Sequence, residues 1–173
     1  DALIDQTLAA IGSAGQRLRF EPYAHEALRR GNELVFGTRA VPQFRIGEAD
    51  VLIALGTDFL ETWISPLANQ IAYSERRTDG KSFASFVGPR LGLTGGNTDQ
   101  WLAPTPGTEV LVAISLASEV ARIRGSAPDA LRGVLARYSA ASFAERTGIA
   151  APVLVKLAER IASASAPLAL PPG

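Results

Sequence analysis

Three short stretches of this sequence set small residues beside hydroxyls and charges in ways that could hold a ligand. In the first, Gly56-Thr57-Asp58, a turn could present backbone N–H groups and a hydroxyl to a phosphate. Asp58 is an awkward neighbour there, because two anions in contact repel unless a metal or an Arg intervenes. The plainer reading is that Thr57 or Asp58 caps a following helix. In the second, Gly88-Pro89-Arg90, the guanidinium could clamp a phosphate or carboxylate through two parallel bonds, or it could stand as a solvated surface group. In the third, Thr105-Pro106-Gly107-Thr108-Glu109, the carboxylate suits a helix N-terminus. It could equally accept hydrogen bonds from the N–H edge of a purine.

Each turn needs an element to aim it. Val51–Leu55 is an apolar run of strand length that Gly56 ends, and residues 59–77 read as a helix with Leu60, Ile64, Leu67 and Ile71 in one stripe. Pro66 falls inside that stripe, so a kink or restart is expected there. A buried strand, a Gly turn and a helix make half of a βαβ unit. In open α/β sheets, ligands sit at the carboxyl ends of such strands, beside the helix N-termini. Residues 82–87 read as the next strand, 91–100 as a Gly- and Asn-rich loop, and 101–103 as a short strand. Thr108 then caps a buried helix to about Arg124. Gly56, Gly88 and Gly107 are therefore expected along one edge of a sheet.

The remaining chain supplies the layers. Ile4, Leu8 and Ile11 mark a helix ended by Gly12 and Gly15. Leu18 and Phe20 alternate with charges in a short strand stopped by Pro22. A helix over about 24–36 pairs Glu26 with Arg30 and ends on Gly37. Ser126, Pro128 and Asp129 start a helix to about Tyr138. Residues 143–147 form a short helix stopped at Gly148. Pro152 opens the last helix, with Leu154, Leu157, Ala158 and Ile161 inward, and Pro167–Leu170 follows as an apolar strand. The alternation predicts a single α/β domain over residues 1–173: a mostly parallel sheet flanked by helices on both faces.

Composition narrows the function. The chain has 173 residues, 47% hydrophobic and 20% charged, enough for one real core. Lys+Arg and Asp+Glu both number 17, which argues against a nucleic-acid surface. No apolar run reaches the roughly 20 residues of a membrane span. Cys is absent and His25 is the single histidine, so a thiol nucleophile, an iron–sulfur site, a metal site or a Ser–His–Asp triad has little support within these residues. No nucleophile elbow of a small hydrolase is present. No catalytic residue is assigned. The absence of Met and the start at Asp1 lead us to expect a piece of a larger protein.

Taken together, the turns give the chain a resemblance to the cofactor domain of the molybdopterin oxidoreductase superfamily, the dimethyl sulfoxide reductase type. The resemblance runs from about Ala9 to Leu170 and is strongest at ALGTDFLETW and FVGPRLGLTGGNTDQWLAPTPGTE. It implies a Rossmann-like fold whose turns bind molybdopterin guanine dinucleotide. By position, Gly56, Thr57, Asp58 and Glu61 resemble the first phosphate-contacting turn. Gly88, Pro89 and Arg90 resemble the ribose and phosphate turn. Pro106, Gly107, Thr108 and Glu109 resemble the guanine-reading turn, and Trp101 matches a position where the family often has Trp. Two departures stand out: the family usually has Asn where this chain has Asp58, and Asp or Glu where it has Gly88.

The form GTDFLETW is similar to a branch of large, exported, membrane-associated redox complexes, some of whose subunits carry no molybdenum. The resemblance therefore implies a domain that holds the nucleotide end of the cofactor and supports electron transfer in a larger iron–sulfur redox protein. It implies periplasmic or membrane-associated placement. Its partners would be the remaining domains of the same chain and the iron–sulfur and membrane subunits of a complex. No cofactor is expected on this domain alone, since the family grips it between several domains. The alternative is a structural and interaction module of a quinone-linked membrane complex that keeps the fold and has lost the cofactor.

Overall fold

The computed structural model describes residues 2–13, 15, 17, 18, 20, 25–78, 80 and 82–171. At its centre lies β1 (Val51–Leu55), flanked by β2 (Phe83–Val87) and β4 (Pro167–Leu170), with β3 (Gln100–Leu102) beyond β2. All three pairings are parallel, in the order β3-β2-β1-β4, and Leu55 stands opposite Val87. The strands must be parallel because each returns through a crossover rather than a hairpin. The fold is α/β, as the alternation predicts, and Rossmann-like, as the resemblance implies.

Helices cover both faces. In chain order they are α1 (Ala2–Ala10), α2 (Glu26–Phe36), α3 (Pro66–Arg77), α4 (Leu93–Gly96), α5 (Glu109–Arg124), α6 (Asp129–Leu135), α7 (Ala144–Thr147) and α8 (Ala151–Ser163). Side chains alternate across a strand, and the two cores divide accordingly. Leu52, Ala54, Ala84 and Phe86 pack with Leu28, Phe59, Leu60, Trp63 and Tyr73. Val51, Ile53 and Val87 pack with Val112, Leu116, Leu154, Leu157 and Ala158 on the other side. A strand apolar on both faces is the signature of this double covering.

The amino edge of the sheet is held by two charges. Asp50 accepts the N–H groups of Ser165 (2.7 Å) and Ala166 (3.0 Å), which fixes the start of β4 beside β1. Slight burial raises the Asp50 pKa, but these backbone donors outweigh it and hold the carboxyl below the usual range. Buried Arg76 donates to the carbonyls of Ala49 (2.7 Å) and Phe83 (2.5 Å), joining β1 to β2.

The structure corrects several local expectations. No helix starts at Phe59: residues 59–65 are turns and α3 begins at Pro66. Pro66 has no N–H to give and its ring would clash with the carbonyl four residues back. Side chains satisfy the turn instead, with Asn69 Nδ2 on the Phe59 and Ile64 carbonyls and Gln70 Nε2 on that of Leu60. The stripe fails with it: Leu67 and Ile71 are exposed, and Tyr73 and Arg76 are the buried residues of α3. Residues 91–100 are not all loop, since α4 forms within them and β3 begins at Gln100. Pro128, not Ser126, holds the N-cap position of α6, which stops at Leu135. Glu26 pairs with Arg39, and Arg30 with Glu33, rather than with each other. Leu18 and Phe20 belong to no strand; Arg19, Glu21, Pro22 and Ala24 lie outside the described residues. Gly37 and Gly148 end their helices in the left-handed region, as anticipated.

Candidate functional site

The first two turns leave the sheet side by side at its carboxyl edge. Gly56 N–H donates to the Val87 carbonyl (2.7 Å), and Gly88 N–H to that of Leu102 (3.0 Å). The third turn leaves β3 at the same edge and leads into α5. β1 also has its neighbours β2 and β4 on opposite sides, so this edge includes a topological switch point, where a crevice opens in doubly wound sheets.

In the first turn, the side chains are turned onto the protein. Thr57 is buried, and its hydroxyl lies 2.7 Å from the Pro171 carbonyl, 3.0 Å from that of Leu170 and 3.2 Å from that of Leu55. It closes the switch point by fastening the end of β4 to β1. Asp58 Oδ1 accepts from Thr94 Oγ1 at 2.5 Å, and Thr94 Oγ1 in turn accepts from the Leu60 N–H at 3.1 Å. The Asp58 carbonyl gathers the N–H groups of Glu61, Thr62 and Trp63. Neither Thr57 nor Asp58 caps α3: Ser65 holds its N-cap position in a left-handed conformation, without a side-chain bond. The free oxygen of Asp58, Oδ2, and Glu61 Oε2 lie 3.9 and 3.8 Å from the point where Gly92 would carry a Cβ. Two carboxylates thus face one small volume.

The second turn carries the one unengaged cation of the constellation. Pro89 and Arg90 are exposed, and among the described residues Arg90 has no hydrogen bond or ion pair. Gly88 is buried. Its carbonyl accepts from Trp101 Nε1 at 2.8 Å, so the indole pins the second turn to β3. The Phe86 ring lies across Gly88, with Cζ 2.6 Å and Cε1 2.8 Å from where a Cβ would stand.

In the third turn, Gly107 has φ +81 and its N–H points at Glu109 Oε1, 3.4 Å away. Thr108 occupies the N-cap position of α5, but its hydroxyl donates to the Thr105 carbonyl (2.7 Å) instead of accepting from the helix. Pro106 is exposed. The Thr105 N–H donates to the Thr147 carbonyl, which anchors this turn to α7. The structure thus gathers Gly56, Thr57, Asp58, Glu61, Gly88, Pro89 and Arg90 around two adjacent strand ends, and Gly107, Thr108 and Glu109 follow the third. Trp63 is a core residue, 5.1 Å from Phe44 between ring centroids.

Thr94 and Phe86 are structural keys that sequence reasoning missed. Thr94 sits in a stretch that reads as loop, and Phe86 reads as an ordinary strand residue. The F-x-G spacing of residues 86–88 was the available signal, since i and i+2 share a face. Among the described residues, no cluster of His, Cys, Asp and Glu could hold a metal. None of their helices is long and apolar enough to cross a membrane.

No family model matches the chain. Over 134 residues, 73% of the chain, it is 35% identical to a stretch of a protein named "Menaquinone reductase, molybdopterin-binding-like subunit" from Nitratidesulfovibrio vulgaris. Over the matched stretch the chain is similar to a molybdopterin-related redox subunit. The matched stretch is 19% of that relative, so the chain spans about a fifth of its length. The similarity agrees with the resemblance read from the turns, at the level of a molybdopterin-related redox subunit.

Proposed function

We propose that this chain is one domain of a larger subunit in a quinone-linked redox complex. In this reading it keeps the fold of a molybdopterin cofactor domain as a structural and interaction module and does not grip the cofactor's nucleotide. The observation that carries the reading is the first turn. Its hydroxyl is spent on the carbonyls at the end of β4, and its carboxylate is bound by Thr94. A pyrophosphate needs donors, and here it would meet two carboxylates, Asp58 and Glu61, each within 4 Å of the Cβ position of Gly92. The second turn offers no acceptor for ribose hydroxyls, which such folds commonly provide with an acidic residue. As they stand, these residues do not fit a guanine dinucleotide. The relative's name, with menaquinone reductase, subunit and molybdopterin-binding-like in it, supports the quinone-linked setting. Partners in this reading are the other domains of the same polypeptide and the iron–sulfur and membrane subunits of the complex, at the periplasmic side of a membrane or attached to it.

A second reading keeps the cofactor, in the manner of the dimethyl sulfoxide reductase type. Arg90, unengaged and beside the first turn, favours it, as does Glu109 at the head of α5. Under it, Gly56, Thr57, Asp58, Glu61, Gly88, Pro89, Arg90, Gly107, Thr108 and Glu109 would line the nucleotide end of molybdopterin guanine dinucleotide, and Arg90 would supply the cation that Asp58 and a pyrophosphate require. Titration calorimetry of the full-length protein with GDP separates the two. The first reading expects no binding at micromolar nucleotide, and the second expects saturable binding that Arg90→Gln abolishes.

A further inference from the structure

Gly88 invites an explanation because its backbone does not require glycine. Its φ is not among the positive values of this chain, so an L-residue could adopt the conformation. The obstacle is a side chain. Phe86 Cζ and Cε1 stand 2.6 and 2.8 Å from the place of a Cβ at residue 88, closer than carbon atoms can pack. The same ring meets a second glycine: Phe86 Cδ1 lies 3.0 Å from the Cβ position of Gly95, with Leu91 Cδ1 also at 3.0 Å. The phenyl group is thus seated between two positions that lack side chains. It is buried in the core face that holds Leu60 and Tyr73. Trp101 Nε1, bonded to the Gly88 carbonyl at 2.8 Å, also restrains the turn from backing away from the ring.

We propose that Phe86 is the residue that closes the second turn to a nucleotide: its ring, seated between Gly88 and Gly95, fills the space that an acidic, ribose-binding side chain at residue 88 would enter. The inference rests on the reading that this domain does not grip a nucleotide, and it names the atoms responsible at one of the three turns. Loss of the acid alone would leave an open turn; the ring shuts it, disfavouring any side chain at residue 88 and leaving little room for one at residue 95. The excluded ligand class is a nucleoside diphosphate whose ribose hydroxyls need a carboxylate acceptor.

The test uses the full-length protein and the variants Gly88→Asp, Phe86→Leu and Phe86→Leu/Gly88→Asp. Leucine keeps a buried apolar group but lacks the two atoms that block residue 88. Phe86→Leu folds more readily than Phe86→Ala would, since it leaves a smaller cavity. Thermal unfolding and GDP titration are measured for each. The expected result is that Gly88→Asp lowers Tm more in the wild-type background than in the Phe86→Leu background, since contacting sites couple. GDP affinity in the double variant should exceed that of the wild type by about tenfold or more. Equal destabilisation in both backgrounds would overturn the steric claim. A double variant that gains no affinity, while the wild type also binds none, would overturn the gating role and leave the proposed function intact. Tight GDP binding by the wild type would instead remove the reading on which the inference rests.

Discussion

Removing one buried hydroxyl, that of Thr94, should loosen the first turn. Thr94→Val keeps the shape and deletes the oxygen that donates to Asp58 Oδ1 at 2.5 Å and accepts the Leu60 N–H at 3.1 Å. Thr94 and Leu60 are both buried, so the stranded N–H finds no water. A hydrogen bond to a charged group contributes about 1.5–3 kcal/mol, and an unsatisfied buried donor costs about 1–3 kcal/mol. Asp58 is only half-buried and regains solvent, which trims the first figure. The net loss should be about 3 kcal/mol, or roughly 6–12 °C in Tm for a domain of this size. Urea and thermal unfolding of the 173-residue chain measure it. Thr94→Ser, which keeps the hydroxyl, should lose much less. A double-mutant cycle with Asp58→Ala should give a coupling of about 1–3 kcal/mol. A Thr94→Val shift below about 2 °C, or no coupling to Asp58, would refute the bridge.

Other expectations follow from the same geometry. Thr57→Val should cost about 1–2 kcal/mol and speed amide exchange at the end of β4, because the Leu170 and Pro171 carbonyls lose their donor; unchanged exchange there would count against the clasp. Arg90→Gln should leave stability within about 0.5 kcal/mol, since Arg90 has no partner among the described residues. Among the described residues the buried carboxylate is Glu119, and its protonation should contribute to acid unfolding. The Ala140 N–H holds the Glu119 carboxyl below its ordinary range against the opposing effect of burial, and Arg122 adds to the lowering. A depressed folded pKa stabilises fully above the unfolded value and is lost as pH falls through the folded one. Glu119→Gln should therefore flatten the acid limb from about pH 4.3 downward; an unaltered limb would exclude this role.

How much of this was legible beforehand depends on the kind of interaction. Strands β1, β2 and β4 and helices α5 and α8 follow from apolar periodicity, which is local to the sequence. Their parallel order places the glycines of the first two turns together. Pro66 signals a restart of the helix, and α3 begins there; the turns before it were not legible, because they depend on Asn69 and Gln70 serving carbonyls ten residues back and on Thr94 reaching across from another loop. The residues of the candidate site could be named from the turns, yet what they touch could not. Thr57 is joined to residues more than a hundred positions away, and no spacing rule reaches that far. Gly88 reads as a missing acid in the sequence; only packing reveals the ring that takes its place.

The most direct test of the central claim is elemental and nucleotide analysis of the full-length protein, purified after expression in a host that makes molybdopterin guanine dinucleotide. The account predicts molybdenum, tungsten and acid-released guanine nucleotide all at background. One equivalent of either metal per chain, with guanine nucleotide alongside, would contradict it.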